Sequence, residues 1–423
     1  MRLSRALPAI GLTLATTVST LALAPSAGAA PIQVQAANSA SASGTDSVRA
    51  RALTGGATRT TVAAPAKRAP KKKADKKVTP IKQSSGSRWA GQTLGTYQGP
   101  QDQAWVALNK TGVKAKNRKW VEKLVNIPKV GWTGKWTPDS KIYESTKNYI
   151  RDSQNGDPTK VVALASFRLD PWYTRARTGN PSAAQVASYK RWATQQAKAI
   201  GSTPTIVVLQ PDMPFLMTAR HRAKYQRMLK FAAAQYGKLP NTRVYLEAGS
   251  WDWPAPGQGG AKAAAKFLEP IGIKNVDGFA FGSTHYTDVR KEIARSKELI
   301  DIFRKKGYRN ELRSVITTAS NGNPWDFGDW QFPRRGVADE AQACTSKKQL
   351  GKVTCVTTGI PPTFDVTNPK WRLGKTATAR ANKYVDAYLW FSRPWLRMQN
   401  APFLEDKAAQ MLKVSPFREH YTH

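Results

Sequence analysis

A parallel α/β fold, either a barrel or a doubly wound sheet, is what this sequence predicts, and three observations lead there. Short apolar runs of strand length alternate with amphipathic stretches of helix length, the pattern of a parallel sheet built with crossover helices. Two of the runs, beginning at Thr205 and at Val244, end in carboxylates, Asp212 and Glu247, and then break into Pro, Gly or Trp. In an α/β barrel, side chains at the carboxyl ends of strands point into the active-site mouth, so acids there are placed for chemistry. No glycine-rich phosphate loop follows any of the runs, which disfavours a nucleotide-binding sheet.

Along the chain, Arg2 and Arg5 precede an apolar stretch from Ile10 to Ala24 and a small-residue site at Ala27, Gly28 and Ala29, so residues 1–30 read as an export signal. No later segment is long and apolar enough to span a bilayer, so the mature protein is expected to be secreted and extracellular, with cell-wall association open. Residues 31–87 are rich in Ala, Ser, Thr, Pro, Lys and Arg and nearly lack large apolar residues. Such a segment buries too little surface to offset its ordering entropy, and a disordered basic tether is expected. Residues 88–423 carry every tryptophan and both cysteines and read as one folded domain.

Within that domain the strand candidates are Val161 to Ala165, Thr205 to Leu209, Val244 to Leu246, Gly278 to Phe281, Ser314 to Thr317 and Tyr388 to Phe391. The helix candidates are Ala183 to Ile200, Ala219 to Tyr236, Gly260 to Leu268 and Val289 to Lys305. Cys344 and Cys355 lie close together in an exported chain, and a local disulfide is expected. The cysteines and the four histidines, His221, His285, His420 and His423, lack metal-ligand spacing, so neither a metal nor a cofactor is expected. The formal net charge of +38 favours anionic partners, an anionic cell-wall polymer held by the tether among them. The basic residues are scattered and no nucleic-acid-binding motif accompanies them, so no specific nucleic-acid partner is expected. The chain is expected to be a monomer.

Gln210-Pro-Asp212-Met-Pro214 resembles the Glu-Pro-Asp-Ser-Leu-Pro signature of glycoside hydrolase family 6, the cellobiohydrolase and endoglucanase family. The stretch from Val244 to Trp253 is similar to the family's Tyr-Leu-Asp-Ala-Gly-His-x-x-Trp segment. The likeness continues in the same order through Gly278 to Tyr286, Thr318 to Asn323, Gly328 to Trp330 and Val385 to Trp390. The resemblance implies a distorted, incomplete (β/α) barrel of about seven parallel strands, with an active-site cleft at their carboxyl ends. It implies hydrolysis of β-1,4-linked glucan or a related polysaccharide with inversion, Asp212 being the proton donor. Inversion requires a protonated carboxyl beside the glycosidic oxygen and a base on the opposite face with room for water.

The departures from the family bear on that chemistry. The glutamate before Pro-Asp is Gln210, and in Ser166-Phe-Arg168-Leu-Asp170 the arginine stays while the assisting carboxylate is either lost at Leu169 or shifted to Asp170. In Ser392-Arg-Pro-Trp-Leu-Arg-Met398 the sugar-binding lysine is Ser392, a glutamate is Leu396 and the base aspartate is Met398. General-base help contributes about 10² to 10⁴ in rate, so this loss is large. Glu247, Asp252 or Asp170 could hold the water instead, or a water chain could relay the proton. The resemblance also places Trp132, Trp253 and Trp330 on sugar-stacking tryptophans, since an indole offers a flat apolar face to a pyranose. Ser250 replaces a family histidine and His285 a family asparagine, so with Ser392 the polar contacts to a sugar differ. Two readings besides an active glucanase stay open: a catalytically impaired relative that binds carbohydrate or cell-wall polymer, and a polyanion-binding protein localised by its tether.

Overall fold

Among the described residues, seven strands form one sheet in chain order: β1 (Gly131–Gly134), β2 (Val162–Phe167), β3 (Thr205–Leu209), β4 (Thr242–Glu247), β5 (Gly278–Phe281), β6 (Arg313–Thr317) and β7 (Val385–Leu389). The computed structural model describes residues 86–169, 179–309, 311–332 and 337–421. The predicted export signal, the predicted tether up to residue 85 and Asp170 lie outside the described residues. Every neighbouring pair is parallel, with Leu164 opposite Val207, Val207 opposite Val244 and Leu246 opposite Phe279. Helix α1 (Ala115–Asn126) precedes β1; between strands run α2 (Ile142–Gln154), α3 (Ala183–Ile200), α4 (Arg222–Tyr236), α5 (Gly260–Gly272), α6 (Val289–Lys305) and α7 (Lys375–Tyr384); and α8 (Glu405–Val414) follows β7. The result is an open barrel. Its two edge strands share no ladder and meet through Val130 N–H to Trp390 O at 3.0 Å and the Trp132 indole to Phe391 O at 2.9 Å.

Alternation along each strand divides the core in two. Ala163 and Ala165, Ile206 and Val208, Tyr245, Ala280, Val315, Ala387 and Leu389 pack together inside the curve of the sheet. Their neighbours Val162, Leu164, Val207, Leu209, Val244 and Phe279 pack outward against α3, α4, α5 and α6. Glu247 continues the inward series of Tyr245, so the strand period itself carries this acid to the upper inside of the barrel.

The amino ends of the strands are closed by ions rather than by apolar side chains. Asp386, fully buried at the start of β7, accepts the Arg88 backbone N–H at 3.0 Å, Arg88 Nε at 2.9 Å and the Tyr245 hydroxyl at 2.8 Å, and pairs with Arg313 Nε at 2.9 Å. Arg88 and Arg243 also pair with Asp277. Residues at the entrance of the domain are thereby fastened to its last strand. Elsewhere the expected disulfide joins Cys344 to Cys355 and packs beside Val414, Leu350 and Val353.

Removing one partner of a buried pair leaves uncompensated charge, so Asp386→Ala is expected to lower stability by about 3–5 kcal/mol. Urea unfolding of the full chain measures this; a loss below about 1 kcal/mol would mean that the cluster is solvated enough to do without its carboxylate.

Candidate active site

Beyond Leu209 the chain turns sharply, with Gln210 and Asp212 both in the left-handed region at φ 59°. Non-glycine residues there cost about 1–3 kcal/mol and need surroundings that hold them. The Gln210 amide supplies one hold: its Oε1 accepts the Leu169 N–H at 3.1 Å and its Nε2 donates to the Leu169 carbonyl at 2.9 Å. Glu247 supplies the other. It is sealed from solvent, Oε2 accepting the Met213 N–H at 3.0 Å and Oε1 the Gly249 N–H at 2.8 Å. One carboxyl thus joins the turn after β3 to the turn after β4. Arg168 takes no part, since its guanidinium donates to Lys135 O and Ser188 Oγ.

Asp212 sits on these supports, 6% exposed. Burial pushes its carboxyl up to about 6 and the charge of Asp339 adds to the rise, while the Thr284 hydroxyl and the positive His285 and Arg393 pull the other way. Glu247 is driven well above the usual carboxylate range, first by burial and then by the charge of Asp212. Both acids are thus pushed toward the protonated form. Thr284 Oγ1 lies 3.1 Å from Asp212 Oδ1 and 2.7 Å from the Ser283 carbonyl, and a hydroxyl has one proton to give. With Asp212 ionised the hydroxyl can donate to it; with Asp212 protonated the hydroxyl can turn to Ser283 and accept.

The loop after β4 is fixed from α6. Glu292 accepts the Trp251 N–H at 3.0 Å, and Arg295, 1% exposed, donates to the Trp251 and Pro254 carbonyls at 2.9 Å each. Asp252 accepts from Ser250 Oγ at 2.5 Å, is 2.7 Å from His285 Nδ1 and accepts the Phe327 N–H at 2.8 Å. Burial alone would raise Asp252, but His285 and the other two donors outweigh it and hold the carboxyl at about 2. For His285 burial opposes the charge, yet the Asp252 hydrogen bond prevails and the imidazole is raised above its ordinary value. The pairing therefore favours the charged imidazole.

The expected aromatic platform is partly assembled. Trp253 stacks on His285 at 5.2 Å with Phe215 against its edge at 4.5 Å, and His285 stacks in turn on Phe327 at 4.1 Å. Trp132 is half-buried, and the Arg393 guanidinium covers its ring at 4.4 Å. Trp330 stacks on Trp325, which stacks in turn on Phe327 and Tyr286, so it lies at the far end of the same aromatic run. Ser250 and Ser392 were placed by sequence at sugar contacts, but they are 0% and 1% exposed. The Ser250 hydroxyl serves Asp252, and that of Ser392 lies 3.2 Å from Thr317 Oγ1, so both act beneath the site rather than on a ligand. Met398, at the expected base position, is exposed on the turn Arg397–Gln399. Among the described residues there is no cluster of His, Cys, Asp and Glu fit to hold a metal ion.

An acid raised by burial at the carboxyl end of a seven-stranded open parallel barrel coincides with a family match that spans most of the chain. The profile of glycosyl hydrolases family 6 matches residues 60–395. The chain belongs to this family. Family 6 comprises cellulase-type glycoside hydrolases, and the chain's relatives are of that kind. Endoglucanase 1 of Streptomyces halstedii is 26% identical over 258 residues, covering 59% of this chain and 70% of the relative. Endoglucanase A of Thermobispora bispora is 24% identical over 248 residues, 56% of this chain and 50% of its own length. Among solved structures, the endoglucanase Cel6 of Mycobacterium tuberculosis superposes with a TM-score of 0.56 at 20% identity, covering 76% of this chain and 96% of that one. The catalytic core of the cellobiohydrolase Cel6A of Chaetomium thermophilum gives 0.53 at 15% identity, covering 76% and 97%.

Asp339 was not foreseen. It lies in a short turn, Ala338–Glu340, with no strand before it and no family motif around it, so only the folded chain brings its charge to Asp212.

Two stability measurements follow from this geometry. In Gln210→Glu the carboxylate cannot donate to Leu169 O and is itself buried, so a loss of about 1–3 kcal/mol at neutral pH is expected in urea unfolding; no change would show that the amide pairing is dispensable. Asp212, raised from 3.8 to about 6, binds its proton in the folded state where the unfolded chain has lost it. It therefore withdraws up to about 3 kcal/mol of stability as pH rises from about 4 to about 6. Relative to wild type, Asp212→Asn should gain stability between pH 4 and pH 7, and a pH-independent difference in unfolding midpoint would contradict the raised value.

Proposed function

We propose that this protein is an exported hydrolase that cleaves β-1,4-linked glucan or a related polysaccharide with inversion, Asp212 protonating the departing glycosidic oxygen. The observation that carries the reading is the desolvated Asp212 at the carboxyl end of β3, held at about 6 over the supporting Glu247. A carboxyl in that range is protonated often enough near neutrality to act as an acid, and ionises readily after giving up its proton. The structural relatives support the substrate class: the Mycobacterium tuberculosis endoglucanase was solved with a thio-linked cellobioside, and a Humicola insolens cellobiohydrolase with glucose and cellotetraose. Trp253, stacked on His285, is the aromatic face best placed to carry a sugar ring. The basic region before the domain would hold the enzyme against anionic wall polymer.

A second reading, glucan binding without turnover, is favoured by one observation, the exposed methionine at the family's base position. Reducing-sugar release from soluble β-glucan separates the two. Wild type should release sugar whose first-formed anomer, followed by proton NMR, is α, and Asp212→Asn should lose at least about 10² in kcat on unactivated glucan. Glucan binding with no release by wild type would establish the second reading.

A further inference from the structure

Inverting hydrolysis needs a group across the sugar ring from Asp212 to take a proton from water. Among the described residues, the carboxylates first in line are committed elsewhere. Glu247 is sealed and bonded to Met213 and Gly249, and Asp252 is bonded to Ser250, His285 and Phe327. Asp339 is different: partly buried, it makes no hydrogen bond or ion pair with any described residue. Its charge nevertheless bears on Asp212, His285 and Tyr286, so its carboxylate lies near all three.

Neighbouring contacts explain how it is aimed there. The turn Ala338–Glu340 packs against the turn Arg397–Gln399, which carries Met398. Arg397 Nε pairs with Glu340 Oε1 at 3.2 Å, and the charge of Glu340 also reaches Lys407 on α8. Successive side chains of a three-residue helical turn diverge by about 120°. With Glu340 held toward Arg397 and Lys407, Asp339 is directed away from them, to the side of His285. The second turn is tied to the acid in its own right, since Gln399 Nε2 donates to Thr284 O at 2.8 Å and the Thr284 hydroxyl meets Asp212.

We propose that Asp339 is the general base, a carboxylate brought by one loop to replace the carboxylate missing from the adjoining loop at Met398. The inference rests on the hydrolytic reading above. In the step, water gives a proton to an Asp339 oxygen while its own oxygen bonds to the anomeric carbon. The bond from that carbon to the glycosidic oxygen breaks, the electron pair stays with the leaving oxygen, and that oxygen takes the Asp212 proton. Asp339 ends protonated and Asp212 ionised, and proton exchange with solvent resets both.

The test uses the full chain, soluble β-glucan and β-cellobiosyl fluoride, whose leaving group needs no acid. Asp339→Ala should lose about 10² to 10⁴ in kcat on both substrates with little change in KM. Asp212→Asn should fall on glucan far more than on the fluoride. Added azide, small enough for the space vacated, should restore turnover of the fluoride by Asp339→Ala and give the α-configured cellobiosyl azide. Asp339→Asn, nearly isosteric, guards against misfolding and should show the same loss with native near-ultraviolet circular dichroism. Activity of either Asp339 variant within a few-fold of wild type, or loss without an azide product, overturns the base assignment and leaves the hydrolytic reading intact. An inactive wild type overturns both.

Discussion

The buried carboxyl of Glu247 is the constraint on which this site is built. It ends β4 on the inward face, where strand alternation leaves it no route to water, and it meets that confinement by accepting two backbone N–H groups. Those donors belong to Met213 and Gly249, so the first residues of two separate loops are pulled to one point. Asp212 is held in its left-handed conformation directly above. Two acids over an apolar floor cannot both carry charge cheaply, and burial pushes both toward the protonated form, Asp212 to about 6.

Around this pair the departures from the family form a connected set. An amide replaces a carboxylate at Gln210 and gains what a carboxylate lacks, a donor for Leu169 O to match its acceptor for Leu169 N–H. The imidazole that family members place after Ala-Gly is absent at Ser250 but present at His285, where it lies against Asp252 and between Trp253 and Phe327. Ser392 gives up the reach of a lysine and serves Thr317 and the Thr284 N–H beneath the acid. Each exchange satisfies a buried polar group that would otherwise be unpaired, which is the condition for a polar site to persist inside a barrel.

Much of the fold was legible in the chain because apolar periodicity and strand pairing agree. β3 and β5, α3 and α6 lie where the pattern puts them, since their strand runs or helical faces are unbroken. β1 was missed for a physical reason: Gly131-Trp-Thr-Gly134 has no apolar run, and its extended form comes from pairing with β2. β7 begins earlier than its apolar run suggests because Asp386 interrupts the pattern, and only the folded barrel shows that Arg88, Tyr245 and Arg313 satisfy it. The site divides in the same way. Asp212 could be read from a strand end, whereas the inward burial of Ser250 and Ser392 and the approach of Asp339 depend on loops whose paths no local pattern encodes.

The central claim is that desolvation above Glu247 keeps Asp212 available as a proton donor. Carbon-13 NMR of the aspartate carboxyls, with the Asp212 signal assigned by its loss in Asp212→Asn, reads that proton directly. A titration midpoint near 6 for Asp212 is the predicted result. A midpoint at or below about 4, the ordinary value for an aspartate, would contradict the account, since a carboxylate ionised throughout the working range has no proton to give.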